Sequence, residues 1–223
     1  SFDKYYERDK AAATHAPKVY RITGWRDEAD PTFMEYHVPA AQVLELARSF
    51  GVSVTSLVIA AVMCAIRTEM PRRDRNRAIR LDVPVDLRQH FKSTTTKNFF
   101  GLAFVSYVPG DEDEPVEEVA RQVHAQLKVV TNAEHLKSRM NRMIALEKNP
   151  VLRLAPLFVK DLILEFATYL AARDTTTTVS NLGQIAIDER LAPYIRNINV
   201  LTSTTGINFL LSSFGNDLSI GIS

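Results

Sequence analysis

The sequence has 223 residues, of which 46% are hydrophobic and 24% charged, and its formal net charge is +1 at pH 7. This composition is typical of a globular chain and excludes a disordered or fibrous one. A net charge so close to zero argues against a surface dedicated to nucleic acid or to a membrane.

The longest apolar run, residues 57–66, is far shorter than the roughly 18 residues that a membrane span needs. No secretory signal is visible at the N-terminus. Cys64 is the only cysteine, so an intrachain disulfide is impossible, which suits a reducing compartment. We therefore expect a cytoplasmic protein with no membrane span and no nucleic-acid partner.

The first half of the chain predicts a linker, strands and two consecutive helices. Residues 1–16 are a polar lead-in, and strands are expected at 18–24, 32–38, 78–85 and 98–108. Pro39 opens an amphipathic helix that Gly51 stops. Ser53 then caps a second helix, residues 54–70, whose broad apolar stripe predicts that it is mostly buried.

The second half predicts long helices followed by closely spaced strands. A helix begins after the acidic run 111–114 and continues, with a break, to residue 148; another spans 151–173. The apolar side chains of that last helix are expected to face inward: Leu154, Leu157, Phe158, Leu162 and Phe166. Strands are expected at 175–181, 185–187, 197–204, 207–213 and 218–223. This order predicts an α/β two-layer sandwich with a mixed, largely antiparallel sheet flanked by helices.

Several common chemistries have no motif here. The eight glycines never form Gly-x-Gly, so dinucleotide and P-loop cradles are excluded, and no Gly-x-Ser-x-Gly elbow exists. The five histidines lack ligand-like spacing, and the single cysteine cannot help to build a zinc site. The sequence therefore predicts no metal.

Two segments around the middle of the chain stand out. Residues 84–88 read PVDLR, which places Asp86 and Arg88 where a strand ends; a local ion pair that staples a turn is the structural interpretation. Residues 97–101 read KNFFG, with Asn98 and Gly101 beside two aromatic residues. A glycine inside a strand indicates a bulge or a close approach to the backbone.

A third segment lies 80 residues further on. Residues 179–183 read VSNLG, so that Ser180 and Asn181 close a strand and Gly183 follows in a tight turn. Asn and Gly both tolerate a left-handed backbone, and turn chemistry is the structural interpretation here.

Together and in this order, the segments PVDLRQHF, NFFG and VSNLG resemble the C-terminal half of the condensation-domain superfamily. The helix signature LELARSFGVSVTSLVIAAVMCAI is also similar. That superfamily contains chloramphenicol acetyltransferase-like enzymes, nonribosomal peptide condensation domains, and alcohol acetyltransferase-like or polyketide-associated acyltransferases. The resemblance covers the chain from about Val19 to its end.

The chain departs from the family at the catalytic motif, His-His-x-x-x-Asp-Gly. No histidine here is followed by aspartate four positions later. In the family this motif lies in the N-terminal half, so the resemblance implies that residues 17–223 are the C-terminal lobe and that the catalytic-His lobe is absent. The missing initiator Met and the strand-like ending also predict a piece of a longer protein.

The resemblance implies an acyltransferase that moves an acyl group from a thioester to an alcohol or amine. The donor substrate would be acyl-CoA or an acyl-phosphopantetheine arm, with no covalently bound cofactor. Expected partners are the missing N-terminal lobe, an acyl carrier protein and, for the lobe alone, further copies of itself. Without the His-x-x-x-Asp motif, the lobe is expected to be inactive.

The resemblance also implies roles for the residues singled out above. Ser180 and Asn181 would support the oxyanion. The substrate-binding set would comprise Asp86, Arg88, Asn98, Gly101, Gly183, Thr202 and Ser203. Two alternatives stay open: a non-catalytic condensation-like module that binds proteins, and a stand-alone binder of small molecules. An intact His-x-x-x-Asp upstream of Ser1 would favour the enzyme.

Overall fold

The computed structural model describes residues 18–23, 33–96, 98–110, 112–148, 154, 156–202 and 206–223. The strands are β1 (Met34–Pro39), β2 (Ile79–Asp86), β3 (Phe100–Tyr107), β4 (Thr177–Gln184), β5 (Asn208–Phe214) and β6 (Asp217–Ile222). The helices are α1 (Ala40–Phe50), α2 (Val54–Glu69), α3 (Val116–Val130), α4 (Ala133–Glu147) and α5 (Leu157–Arg173).

The six strands form one sheet in the order β1-β6-β5-β4-β2-β3. Strand β4 is parallel to both of its neighbours, β2 and β5, and every other pairing is antiparallel. The predicted α/β architecture with a mixed, largely antiparallel sheet is thereby confirmed.

One face of the sheet carries the main core. Alternate residues of β2 and β3 point toward helices α2 and α3, and these side chains are fully or almost fully buried. The cluster includes Ile59, Met63, Leu81, Val105, Val123, Val179 and Leu211. Helix α2 contributes the most to it, which confirms the prediction of a mostly buried helix.

The boundary between α1 and α2 follows local chemistry. Gly51 ends α1 with φ +70°, a left-handed conformation that glycine adopts without strain. Ser53 begins α2 by accepting a hydrogen bond from the Ser56 backbone N–H. Both predicted helix boundaries agree with the structure to within a residue.

An extended segment, residues 197–201, crosses the opposite face of the sheet. Ser212 Oγ donates to the Ile198 carbonyl at 3.0 Å, and a Cβ on Gly221 would lie 2.7 Å from both the Leu201 side chain and the Val200 oxygen. Glycine at 221 therefore lets this segment lie directly on β6.

Three strand predictions are corrected. Residues 185–187 and the described part of 197–204 belong to no strand. Ile185 donates its backbone N–H to the Ser213 carbonyl at 2.8 Å and only continues the pairing of β4 with β5, and residues 198–201 lie on the face of β5 and β6. Within 18–24, the described residues make only an isolated bridge between Val19 and Ala78.

The prediction that α5 faces inward is also wrong for the lobe by itself. Exposure reaches 87% for Leu154, which precedes the helix, 74% for Leu157 and Phe158, 67% for Leu162 and 62% for Phe166. These apolar side chains do recur at helical spacing, but no surface in the described part of the chain covers them.

Among the described helices, none alone is both long and apolar enough to cross a bilayer. Helices α1 and α2 reach that threshold only as a pair, and the pair is bent by 87°.

Candidate active site

Most of the residues singled out in the sequence lie along one edge of the sheet. Strands β2 and β4 are adjacent and parallel, so their carboxyl ends lie at the same edge, and β3 begins there because Phe100 pairs with Asp86. The register places Asp82 opposite Thr178, and four residues further both strands reach Asp86 and Leu182. This carboxyl edge therefore gathers seven of the predicted residues: Asp86, Arg88, Asn98, Gly101, Ser180, Asn181 and Gly183.

Asn181 is held by hydrogen bonds on both sides of its amide. Its Oδ1 accepts from the Gly183 backbone N–H at 2.8 Å, and its Nδ2 donates to Thr55 Oγ1 at 2.8 Å. Gly183 has φ +74°, and the strand pairing shifts between Asn181 and Gln184. The left-handed glycine and the Asn hydrogen bond agree with the predicted turn chemistry, but β4 continues through them to Gln184 as an irregular strand, where a turn after Asn181 was expected.

The first turn of α2, which carries the Thr55 partner of Asn181, is itself joined to α3 by hydrogen bonds. Ser56 Oγ lies 2.7 Å from Ser53 Oγ and 3.1 Å from His124 Nδ1 on α3. Desolvation, and secondarily the charge of Lys128, lowers the pKa of His124. A neutral imidazole suits the position, because Nδ1 also faces the Ser53 backbone N–H at 3.4 Å, and that group can only donate.

Ser180 and Asn181 point to opposite faces of the sheet. Val179 is buried in the α2–α3 core, so Ser180 next to it faces away from these helices, while Asn181 reaches α2. The two side chains therefore cannot converge on a single group, and of the two it is Asn181 whose side chain is held by hydrogen bonds among the described residues.

Asp86 and Arg88 form the local pair that their spacing predicted. Asp86 Oδ1 accepts from the Arg88 backbone N–H at 3.0 Å and from Arg88 Nη1 at 3.3 Å. Arg88 Nη2 also donates to the Thr95 carbonyl at 3.3 Å. The pair is exposed, so its contribution is to shape the turn after β2 rather than to stabilise the core.

Gly101 marks a close approach and not a bulge. The pairing of β2 with β3 continues through it without a break, and a Cβ there would lie 3.2 Å from Leu87 Cδ2. Leu87, Phe99 and Leu136 belong to a second, smaller core under this edge. Asn98, just before β3, is exposed.

A carboxylate lies in the middle of β2, on the same face of the sheet as Ser180. Asp82 Oδ1 accepts from Thr178 Oγ1 at 2.8 Å, and the described residues supply no ion pair to it. Burial raises the pKa of Asp82, and the hydrogen bond from Thr178 offsets only part of that rise.

We predict that Asp82→Asn raises the melting temperature of the chain by a few degrees at pH 7. A carboxyl group whose folded pKa is raised stabilises the fold fully only below its ordinary pKa of about 3.8, and this contribution is lost as pH rises through the folded value. The advantage of the variant should therefore shrink as pH is lowered toward 4. Thermal unfolding at several pH values measures it; an equal loss of stability at every pH would contradict the prediction.

The described chain that leads to Thr202 runs away from the carboxyl edge. Between residues 198 and 201 the chain runs from the level of Ser212 to that of Leu210, that is, toward the start of β5. Thr202 follows directly and is exposed, and none of the hydrogen bonds that hold the Asn181 amide among the described residues involves it. Ser203 lies outside the described residues.

Sequence reasoning missed a polar cluster on the outer strands. His37 Nδ1 on β1 lies 2.9 Å from Asp217 Oδ2 and 3.1 Å from Ser219 Oγ, both on β6, and Ser219 also donates to Asp217 at 2.9 Å. The cluster ties β1 to β6. His37 is 180 residues from Asp217 and 182 from Ser219 in the sequence, so no local spacing could have indicated the cluster.

The fold is shared with several solved structures. A nonribosomal peptide synthetase, FmoA3, matches with a TM-score of 0.58 and 18% identity over 93% of this chain. The TRI3 trichothecene 15-O-acetyltransferase from Fusarium sporotrichioides matches with a TM-score of 0.56 and 15% identity over 93%. The first condensation domain of the CDA synthetase gives a TM-score of 0.50 and 18% identity over 86%. The chain spans only 21%, 44% and 39% of these chains, respectively.

Fold and sequence together define a C-terminal lobe of the condensation and chloramphenicol acetyltransferase-like class. The family model described as the C-terminus of phthiocerol/phthiodiolone dimycocerosyl transferase matches residues 38–187, about two thirds of the chain. The chain belongs to that family. No curated protein matches its sequence significantly.

Proposed function

We propose that this chain is the C-terminal lobe of an acyltransferase that moves an acyl group from a CoA or carrier-protein thioester to an alcohol or amine. An N-terminal lobe of the same protein would supply the catalytic histidine. The observation that carries the proposal is the fixed amide of Asn181 at the carboxyl edge of the sheet, in a chain of this family.

The chemistry requires two kinds of group. The acceptor loses its proton to the histidine as its oxygen or nitrogen attacks the thioester carbon, which contributes about 10² to 10⁴ to the rate. Negative charge then collects on the former carbonyl oxygen until the C–S bond breaks and the thiolate leaves with a proton. An amide N–H from Asn181 would stabilise that oxygen.

The name of one structural neighbour favours an alcohol as acceptor. The 15-O-acetyltransferase is described by transfer to oxygen. We extend this to a cytoplasmic enzyme that uses acyl-CoA or an acyl-phosphopantetheine arm as a substrate, with an acyl carrier protein as partner in the second case.

Asn181→Asp in the full-length protein tests the proposal. Aspartate keeps the acceptor for the Gly183 N–H but replaces the N–H donor by a negative charge, so turnover should fall by at least about 10-fold. Thiol release from acyl-CoA in the presence of an alcohol measures turnover.

Asn132→Asp is the matched control, because Asn132 Oδ1 also accepts a backbone N–H two residues on, from Glu134, at 3.2 Å. It should leave turnover unchanged. Equal rates for the wild type and Asn181→Asp, or losses that simply follow the melting temperature, would assign Asn181 to structure instead.

The exposed apolar side chains of α5 favour a second candidate, a non-catalytic condensation-like module that binds proteins. The two candidates differ in the upstream lobe. A full-length protein whose upstream lobe lacks His-x-x-x-Asp, and which binds partners without releasing thiol, would be the module.

A further inference from the structure

Thr55, in the first turn of α2, contacts the candidate oxyanion donor although the two residues are 126 positions apart. Its Oγ1 lies 2.8 Å from Asn181 Nδ2. No motif in the sequence singles out this threonine, and its side chain is otherwise half-buried at the end of a core helix.

The hydrogen-bonding pattern settles which way the Asn181 amide faces. The Gly183 backbone N–H can only donate, so the side-chain group 2.8 Å from it must be the carbonyl oxygen. The NH₂ group therefore faces Thr55, whose hydroxyl oxygen accepts one of its two hydrogens. The second hydrogen has no acceptor among the described residues and lies at the exposed carboxyl edge.

Thr55 lies in a helical turn whose neighbouring residues are tied to their surroundings. Ser53 caps the helix one turn before the deeply buried stretch of α2, and Ser56 is fixed against His124 of α3. The amide is thus clamped between a core helix on one side and the Gly183 bulge on the other. A donor held in this way needs no reorganisation when charge develops in front of it.

We propose that Thr55 is a positioning residue that aims the free N–H of Asn181 at the developing oxyanion. The inference rests on the proposed acyltransferase function. Without the Thr55 hydroxyl, the amide keeps one anchor only and rotates about its side-chain bonds. A misplacement of about 1 Å is enough to cost a large factor in rate.

Three variants of the full-length protein test the role. Thr55→Val removes the hydroxyl at nearly constant shape and should lower kcat by about 10-fold with KM within about twofold of the wild type. Thr55→Ser keeps the hydroxyl and should restore kcat. Thr68→Val is the matched control on the same helix, because Thr68 Oγ1 donates only to the Cys64 carbonyl, at 3.0 Å.

A double-mutant comparison separates this role from a structural one. If Thr55 acts through Asn181, Thr55→Val should cost nothing further in the Asn181→Asp background. An undiminished kcat for Thr55→Val, failure of Thr55→Ser to restore it, or an equal loss from Thr68→Val would overturn the role of Thr55. If Asn181→Asp retains full turnover, both the proposed site and the role of Thr55 are wrong. If Asn181→Asp loses turnover but Thr55→Val retains it, the site stands and only the positioning role is wrong.

Discussion

The 223-residue chain alone is expected to give no acyl transfer above the uncatalysed rate, whereas the same chain joined to its upstream lobe should turn over. The difference comes from the proton acceptor. General-base catalysis contributes about 10² to 10⁴, and no histidine of this sequence is followed by the aspartate of the family motif. In the proposed function, Asn181 supplies the oxyanion donor from this chain, and the base would come from the upstream lobe.

Among the described histidines, His37 is the one whose surroundings most resemble those of a general base. It has a carboxylate on Nδ1, Asp217 at 2.9 Å, which is the arrangement that orients a general base. Yet it lies on β1, three strands from Asn181 on β4, or roughly 14 Å at the usual strand spacing. It cannot take a proton from an acceptor that is attacking beside Asn181.

Thiol release from acyl-CoA, measured with and without an alcohol, checks the prediction. Three samples are compared: the chain alone, the chain mixed with separately produced upstream lobe, and the full-length protein. The full-length protein with its motif histidine changed to alanine should behave as the chain alone does. Turnover by the isolated chain at the full-length rate would show that the base lies within these residues, and His37→Gln would then identify or exclude it.

The helices and the sheet were predictable because their signals are local. Two helices with clear apolar periodicity are bounded by Pro39, Gly51 and Ser53. Both helices begin and end within a residue of the predicted positions. The strand predictions at 185–187 and 197–204 are wrong for a physical reason that the described residues show. Their β-branched residues favour strands, but Ile185 only continues the pairing of β4 with β5, and residues 198–201 lie on one face of the sheet instead of beside a strand.

The site was predictable in part. The parallel pairing of β2 and β4 brings the PVDLR and VSNLG segments to one edge, in agreement with the resemblance that grouped them. The alternation of strand side chains, which separates Ser180 from Asn181, was available from the sequence but was not applied. The contact between Thr55 and Asn181 was not available, because it depends on how α2 packs against the end of β4.

Helix α5 is expected to drive self-association of the isolated chain. Phe158, Leu162, Phe166 and Tyr169 recur at helical spacing and form one stripe, and each is more than half exposed. An apolar stripe of this size is uncommon on a monomer in water. In the whole protein we expect the upstream lobe to cover it, since the solved relatives contain more than twice the length of this chain.

The double variant Leu162→Glu/Phe166→Glu should abolish this association. Burial of each side chain contributes about 1.5–3 kcal/mol, so removal of both should weaken the association constant by about 100-fold or more. Leu191→Glu/Tyr194→Glu adds the same charges at exposed apolar positions outside the helix and should leave association unchanged. Sedimentation velocity over a range of concentrations measures both. A wild-type chain that stays monomeric at the highest concentration would contradict the prediction, and addition of the upstream lobe should dissociate a wild-type oligomer because the two compete for the same stripe.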